Sequence, residues 1–160
     1  METKTRIFTA DANIDFCKML ERIMAAENDM ELVGNAADGV EALAMVAKLK
    51  PDILLLDLVL PKLDGLEVLR RLPETGAKPH VIVLSGFVNT KVVTACSSAG
   101  ADFFLPKPCD TPVLLNRIRQ LAGTDRPAMP SGGFDCRAVS AQQSRQDADL
   151  EAVVTDIIHE

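Results

Sequence analysis

The sequence has few of the residues on which many functional sites depend. It contains no Trp and no Tyr, and its only imidazoles are His80 and His159. The cysteines are Cys17, Cys96, Cys109 and Cys136. They lie far apart and form no CxxC pair, so neither a disulfide framework nor a zinc site is expected. No second histidine stands four residues from either imidazole, which excludes a helical His-x3-His zinc motif.

Long apolar runs and excess positive charge are also missing. No apolar stretch approaches the roughly 20 residues needed to span a bilayer. The amino-terminal stretch METKTRIFTAD has no signal-peptide core, so a cytoplasmic location without membrane contact is expected. The formal net charge of −6 argues against nucleic-acid binding by this segment itself, because phosphates attract a basic face.

What the sequence does contain is a set of short apolar runs, of which ILLLDLVLPKLDG at residues 53–65 is the most informative. A continuous run such as Ile53 to Leu56 is typical of a strand buried on both faces of a parallel sheet. Asp57 follows this run directly, at the carboxyl edge where open parallel sheets place their chemistry. The alternative is that Asp57 only caps a loop.

Five such strands alternate with five helical patterns over residues 5–122. The predicted strands are 6–10, 30–34, 53–57, 81–84 and 102–105. The predicted helices are 13–26, 38–49, 64–72, 90–99 and 110–121. Asn13 is the candidate N-cap of the first helix, Asp38 or Gly39 opens the second, and Asp110 or Thr111 caps the last. This alternation predicts a three-layer, doubly wound α/β domain, a (βα)5 parallel sheet covered by helices on both faces.

The composition changes after residue 123. Residues 124–146 are rich in Pro, Gly, Ser, Gln and Arg and are predicted to form a flexible linker between the 1–123 domain and the last segment. Residues 147–160 again show helical spacing of apolar residues and predict an amphipathic helix. That helix could dock on the domain, pair with a second copy, or begin a further domain.

Four polar residues fall just beyond predicted strands: Asp11, Asp57, Ser85 and Lys107. Because carboxyl ends of parallel strands share one edge, these side chains should lie together. Two neighbouring carboxylates suit Mg²⁺, which accepts one or two carboxylates with waters and phosphate oxygens. A lysine and a hydroxyl beside them could pair with a phosphorylated carboxylate. Each residue taken singly is more often a surface charge or a helix cap.

The motifs LLLDLVLPKLDG, VIVLSGF and LPKP, at this spacing, resemble response-regulator receiver domains over residues 5–122. The resemblance implies a flavodoxin-like strand order of 2-1-3-4-5, with Asp57 as phosphoacceptor, Ser85 as switch hydroxyl and Lys107 as the partner lysine. Phe104 matches the aromatic switch position, although an aromatic residue on a short strand is usually only core. Such a domain is not an enzyme in the ordinary sense. It accepts a phosphoryl group from a phosphohistidine on a histidine kinase or phosphotransfer protein.

Further stretches are similar to the sporulation master regulators of endospore-forming Firmicutes, the stage-zero sporulation protein A family. These are KLDGLEVLRRL, GADFFLPKP, RIRQLAG and LEAVVTDIIHE. The resemblance implies a homodimer through the fourth helix, fifth strand and fifth helix, and control of transcription. DNA would be bound only by an effector domain that is missing here, of which residues 147–160 would be the start.

One position departs from the receiver pattern. Receivers usually end the first strand with two acidic residues, whereas this sequence has Asp11-Ala12. The resemblance puts Ala12 at the position that ligates the metal directly, and leaves Asp11, Asp57 and the backbone carbonyl of Val59 as Mg²⁺ ligands. Weaker Mg²⁺ binding is therefore expected, unless a one-residue shift brings Asp11 inward.

Three functional hypotheses remain open. The first is a phosphorylation-controlled switch, with slow loss of the phosphoryl group because the apolar Val59 and Phe87 flank the site. The second, motivated by Ala12, is a pseudo-receiver that acts as a dimerisation or protein-binding module without phosphorylation. The third is a small-molecule enzyme or flavin binder, which is disfavoured because ADAN stands where a glycine-rich phosphate loop would follow the first strand.

Overall fold

The computed structural model describes residues 4–86 and 89–123, together with the backbone of residues 134–135. The strands are β1 Thr5–Ala10, β2 Met30–Ala36, β3 Ile53–Leu56, β4 His80–Ser85, β5 Phe103–Pro106 and β6 Phe134–Asp135. The helices are α1 Ile14–Ala25, α2 Gly39–Leu49, α3 Gly65–Arg71, α4 Thr90–Ser98 and α5 Thr111–Leu121, and a 3₁₀ turn Leu72–Thr75 follows α3. No helix among the described residues is long and apolar enough to cross a membrane.

The strands form one sheet in the order β2-β1-β3-β4-β5-β6. All pairs from β2 to β5 are parallel, and β6 pairs antiparallel with β5. The predicted order 2-1-3-4-5 and the (βα)5 doubly wound fold are confirmed. The chain changes direction across the sheet between β1 and β3, and this switch point opens a crevice at their carboxyl ends.

Two apolar clusters, one on each face of the sheet, make up the core. On one face α1 and α5 pack with Leu20, Met24, Leu114 and Ile118 against buried strand residues. On the other face α2, α3 and α4 do the same. The four residues of β3 are all fully buried because helices cover both sides of this central strand.

Side chains of Asn and Asp fix where most helices begin. The Asn13 Oδ1 accepts a hydrogen bond from the Phe16 N–H at 3.1 Å, and Asp38 does the same for Glu41 at 2.7 Å. The predicted N-cap Asn13 is therefore confirmed, and of the two residues predicted to open the second helix, Asp38 is its cap and Gly39 its first residue. Each cap satisfies one of the backbone donors that have no partner inside the first turn.

The largest difference from the predicted elements is in β2, which extends to Ala36 instead of ending at Gly34. Asn35 and Ala36 pair with Thr9 and Ala10 of β1, so strand pairing lengthens β2 beyond its apolar run. The remaining boundaries differ by one or two residues, as is usual for fraying ends.

The short strand β6 lies inside the stretch 124–146 that composition assigns to a linker. Its backbone pairs Asp135 with Phe103 and Phe134 with Phe104. The rest of that stretch, and the predicted helix 147–160, lie outside the described residues. The predicted domain division stays a prediction.

Candidate functional site

The four polar residues predicted to converge do so at the carboxyl edge of the sheet. Asp11 follows β1, Asp57 follows β3, Ser85 ends β4 and Lys107 follows β5. Backbone hydrogen bonds continue the sheet to this edge: the Asp57 N–H donates to the Ala10 carbonyl at 2.9 Å, and the Lys107 N–H to the Ser85 carbonyl at 2.8 Å. The backbone of each site residue is therefore held by the strand beside it.

Lys107 links the two carboxylates. Its Nζ donates a hydrogen bond to Asp11 Oδ2 and lies 3.4 Å from Asp57 Oδ2. The side chains are 19% exposed for Lys107, 3% for Asp11 and 13% for Asp57. One ammonium thus offsets the repulsion between two poorly hydrated carboxylates, which would otherwise be costly to hold together.

The Asp11 carboxylate is engaged on both oxygens. While Oδ2 accepts from Lys107, Oδ1 accepts the Asn13 N–H at 2.8 Å. Since Asn13 also caps α1, the start of that helix and the carboxylate are fixed to each other. Asp11 is therefore positioned by the protein itself.

Asp57 sits at the end of the central strand in a less hydrated setting than a surface carboxyl. Its Oδ1 accepts the Val59 N–H at 3.2 Å. Burial raises the pKa of the Asp57 carboxyl, and the opposing effects of the Lys107 ammonium and the Val59 N–H are smaller. Asp57 is thus a partly desolvated carboxylate with one oxygen directed at a cation. Such a group is suited to act as a nucleophile that attacks an electrophilic phosphorus.

Ser85 and Phe104 are both fully buried. Phe104 pairs with Val83 across the sheet and belongs to the apolar cluster that includes Val93 of α4. Phe104 therefore connects the β4–β5 edge near Lys107 to the packing beneath α4. Its assignment as a switch residue, and that of Ser85 as switch hydroxyl, stay predictions.

The donors available for a cation are few. Among the described residues there is no group of three or more His, Cys, Asp or Glu that could hold a metal ion. Asp11 and Asp57 are the two carboxylates that Lys107 contacts, Ala12 is exposed beside Asp11, and Val59 is 71% exposed. Two carboxylates and a carbonyl lie within what Mg²⁺ uses when waters and phosphate oxygens complete its shell, so the donor set fits this ion. The assignment of Asp11, Asp57 and the Val59 carbonyl as ligands stays a prediction.

Two site residues were not singled out from the sequence for the roles they have here. The Lys107 Nζ lies 4.2 Å from the centre of the Phe16 ring, a cation–π contact. A Cβ on Gly65 would lie 2.2 Å from the Asp57 carbonyl oxygen, so α3 begins directly against the backbone of Asp57. The Asp64-Gly65 turn signal indicated a helix start but not this close approach. Phe87, predicted to flank the site, lies outside the described residues.

A cavity of about 340 Å³ lies at the other end of the sheet from Asp57. Leu69, Leu72, Val81 and Ala99 are among its mostly apolar lining residues. Val81 is at the start of β4, whereas Ser85 ends that strand at the polar edge. The cavity is thus separate from the carboxylates and the lysine.

Comparisons with known proteins agree with this fold. Residues 7–119 match the response regulator receiver domain family. The response regulator domain of Thermotoga maritima CheB is 29% identical, with a TM-score of 0.70 over 78% of this chain and 100% of that one. The putative response regulator NarL of Mycobacterium tuberculosis has a receiver domain that is 25% identical, with a TM-score of 0.72 over 78% of this chain and 100% of that one.

A third structure, from Borrelia burgdorferi, is a complex of CheX and CheY with BeF3 and magnesium. It matches at 28% identity and a TM-score of 0.68, over 73% of this chain and 88% of that one. The family match spans well over half of the sequence and coincides with β1 to α5. The chain therefore belongs to the response regulator receiver domains, the phosphoacceptor modules of two-component systems.

Proposed function

We propose that this chain is a working receiver that takes a phosphoryl group on Asp57 from a phosphohistidine donor. The observation that carries the proposal is Lys107, whose ammonium contacts both Asp11 and Asp57 at the carboxyl edge of the sheet. A cation already directed at the acceptor oxygen is preorganised for the charge that arrives with a phosphoryl group.

In the proposed step an Asp57 carboxylate oxygen attacks the phosphorus of the phosphohistidine. The oxygen–phosphorus bond forms while the phosphorus–nitrogen bond breaks, and the electron pair of that bond leaves with the imidazole of the donor protein. Lys107 then donates to a phosphoryl oxygen in place of the Asp57 oxygen it now contacts. Asp11 continues to accept a hydrogen bond from the Lys107 ammonium and so holds Lys107 near the phosphoryl group.

The proposal includes Mg²⁺, because family members typically use it and the donor set fits it. Asp11, Asp57 and the carbonyl of Val59 are the residues that would hold the ion. When bound, it would neutralise charge on the acceptor and on the phosphoryl oxygens. Since Ala12 supplies no second carboxylate beside Asp11, and Lys107 competes for the same oxygens, we expect the affinity to be low.

Signal output is proposed to pass through Ser85 and Phe104. A phosphoryl group on Asp57 would draw the Ser85 hydroxyl, and a shift there would change the space available to Phe104. Phe104 belongs to the cluster beneath α4, so a new rotamer would alter the α4-β5-α5 surface. That surface is the proposed homodimer face.

The most specific part of the proposal is that the protein controls transcription in the way that sporulation regulators do. Its support is the sequence resemblance of KLDGLEVLRRL, GADFFLPKP and RIRQLAG to the sporulation regulators. With a net charge of −6 this segment is unsuited to hold DNA, so an effector domain would do so. A histidine kinase or a histidine phosphotransfer protein is the proposed donor.

The second candidate is a pseudo-receiver that binds a protein partner without being phosphorylated. Ala12 favours it, since one of the usual acidic residues is absent. The Lys107 contacts favour it too, because the two carboxylates are already paired with a cation from the protein itself.

Intact mass after incubation with a small phosphoryl donor, with and without Mg²⁺, tests the proposal. A Mg²⁺-dependent gain of one phosphoryl group, absent in Asp57→Asn, is expected. Asp64→Asn is the matched control, because Asp64 only caps α3 and Asn caps a helix equally well. No gain at high Mg²⁺ in the wild-type protein would favour the pseudo-receiver.

The variant Ala12→Asp tests the reason for weak Mg²⁺ binding. A carboxylate added beside Asp11 should strengthen Mg²⁺ binding at least about tenfold, since close charges interact strongly in a partly buried site. Titration calorimetry measures the affinity directly. An unchanged affinity would show that residue 12 is not a ligand position.

A further inference from the structure

Phe16 provides the third contact of the Lys107 ammonium. The ring lies in the first turn of α1 and is partly buried against the apolar cluster beneath that helix. Its centre is 4.2 Å from Lys107 Nζ. At this distance the negative face of the ring attracts a cation. Lys107 is thus enclosed by two carboxylates and one aromatic face.

The position of Phe16 is fixed by the same residues that form the site. Its N–H donates to Asn13 Oδ1 at 3.1 Å, and the Asn13 N–H donates to Asp11 Oδ1 at 2.8 Å. A short chain of hydrogen bonds therefore connects the backbone of Phe16 to the carboxylate that also binds Lys107. The ring and the lysine are positioned relative to the same group.

The aromatic contact differs from the carboxylate contacts in one respect that matters for phosphorylation. Once Asp57 carries a phosphoryl group, its oxygen is no longer a free carboxylate, and Lys107 must turn to the new oxygens. A cation on the carboxylates would further weaken their hold on the ammonium. The Phe16 ring takes no part in these exchanges, so its contact can persist throughout.

We propose that Phe16 is a positioning residue, which holds the Lys107 ammonium toward Asp57 by a cation–π contact before and during phosphoryl transfer. This inference rests on the proposed function. The lysine side chain has four rotatable bonds and little intrinsic order. A fixed ring on one side restricts it before the reaction, so fewer conformations are lost when the ammonium binds the phosphoryl oxygens. The ring also keeps water from one side of the ammonium.

The first test is the rate of phosphorylation by a small donor in the full chain. Phe16→Leu keeps an apolar side chain but removes the ring, and should slow the reaction about five- to tenfold. Phe16→Tyr keeps the ring and should restore most of the rate. Equal slowing in the Leu and Tyr variants would overturn the proposal.

A graded series separates attraction to the ring from simple packing. Successive fluorination of Phe16 weakens the negative ring face with little change in shape, so the rate should fall stepwise with the number of fluorines. The same fluorinated phenylalanines placed at Phe8, a fully buried residue of β1, are the control and should leave the rate unchanged. A flat series at Phe16 in a protein that is phosphorylated would overturn the positioning role.

A second readout does not depend on phosphorylation. The ε-methylene protons of Lys107 should show an upfield ring-current shift by NMR in the unmodified protein, which Phe16→Leu removes and Phe16→Tyr keeps. A random-coil shift in the wild type would overturn the contact itself. If the wild type takes up no phosphoryl group, the proposed function fails, and this shift still decides the contact.

Discussion

Replacing Gly65 with alanine should destabilise the fold and disturb Asp57 in particular. Gly65 is the first residue of α3, and its N–H donates to the Leu58 carbonyl at 2.9 Å. A Cβ there would lie 2.2 Å from the Asp57 carbonyl oxygen and 2.6 Å from the Leu58 Cα. Both are backbone atoms, so the loop cannot make room by a change of rotamer.

The magnitude follows from two opposing effects. Alanine is preferred over glycine in a helix by about 1 kcal/mol, which would stabilise the variant if there were space. Overpacking against fixed neighbours costs about 1–3 kcal/mol, and contact with the backbone puts this site at the upper end. We therefore expect a net loss of about 2 kcal/mol in the free energy of unfolding, measured by urea denaturation followed by circular dichroism.

Gly39→Ala is the matched control. A Cβ at Gly39 would lie 1.9 Å from the Leu63 carbonyl oxygen, which is also backbone but not that of Asp57. Both variants should lose stability, whereas the phosphorylation rate of the folded protein should fall only for Gly65→Ala. The argument from close approach would be wrong if Gly65→Ala were as stable as the wild type. It would also be wrong if the phosphorylation rate fell equally in both variants.

Three further predictions concern single side chains. Because burial raises the pKa of Asp57 above its ordinary 3.8, the ionised form costs stability in the folded state, so Asp57→Asn should be more stable than the wild type at pH 7. This advantage should shrink as the pH falls toward about 4, and urea unfolding at several pH values would reveal an opposite trend if the sign were wrong. Burial raises the pKa of the Cys96 thiol to about 11, so Cys96 should resist maleimide at pH 8 in the native protein and react once urea unfolds it; rapid native labelling seen by mass spectrometry would contradict this. The phosphorylated protein should lose its phosphoryl group over hours because Val59 stands at the site, and Val59→Asn should shorten the half-life; a wild-type half-life of seconds would refute the shielding role.

The sequence was sufficient for the features that depend on local chemistry. Apolar runs predicted the strands from β1 to β5, Asn13 predicted where α1 begins, and the start of α2 was predicted to within one residue, at Asp38 or Gly39. The convergence of Asp11, Asp57 and Lys107 also followed, because parallel strands must end at the same edge. These predictions need only the pattern of residues and the rules of βα alternation.

The features that were missed depend on contacts between distant parts of the chain. The importance of Phe16 comes from Lys107, which is far away in sequence and approaches only because β1 and β5 end at the same edge. The constraint on Gly65 comes from the backbone of Asp57 and cannot be read from a turn signal. The extension of β2 to Ala36 is imposed by pairing with β1, where polar Asn35 gives no strand signal of its own.

The antiparallel strand β6 has a consequence for how β5 meets other molecules. An outer strand with free backbone groups is a template for strand addition by another chain, and β6 fills that place beside Phe103 and Phe104. A partner approaching the middle of the α4-β5-α5 surface would meet the protein's own returning chain. A dimer built there must therefore form from the faces of α4 and α5, or displace β6. The backbone of Phe104 is paired with Phe134 in this ladder, so a partner that displaced β6 would have to satisfy the β5 backbone groups that β6 now pairs.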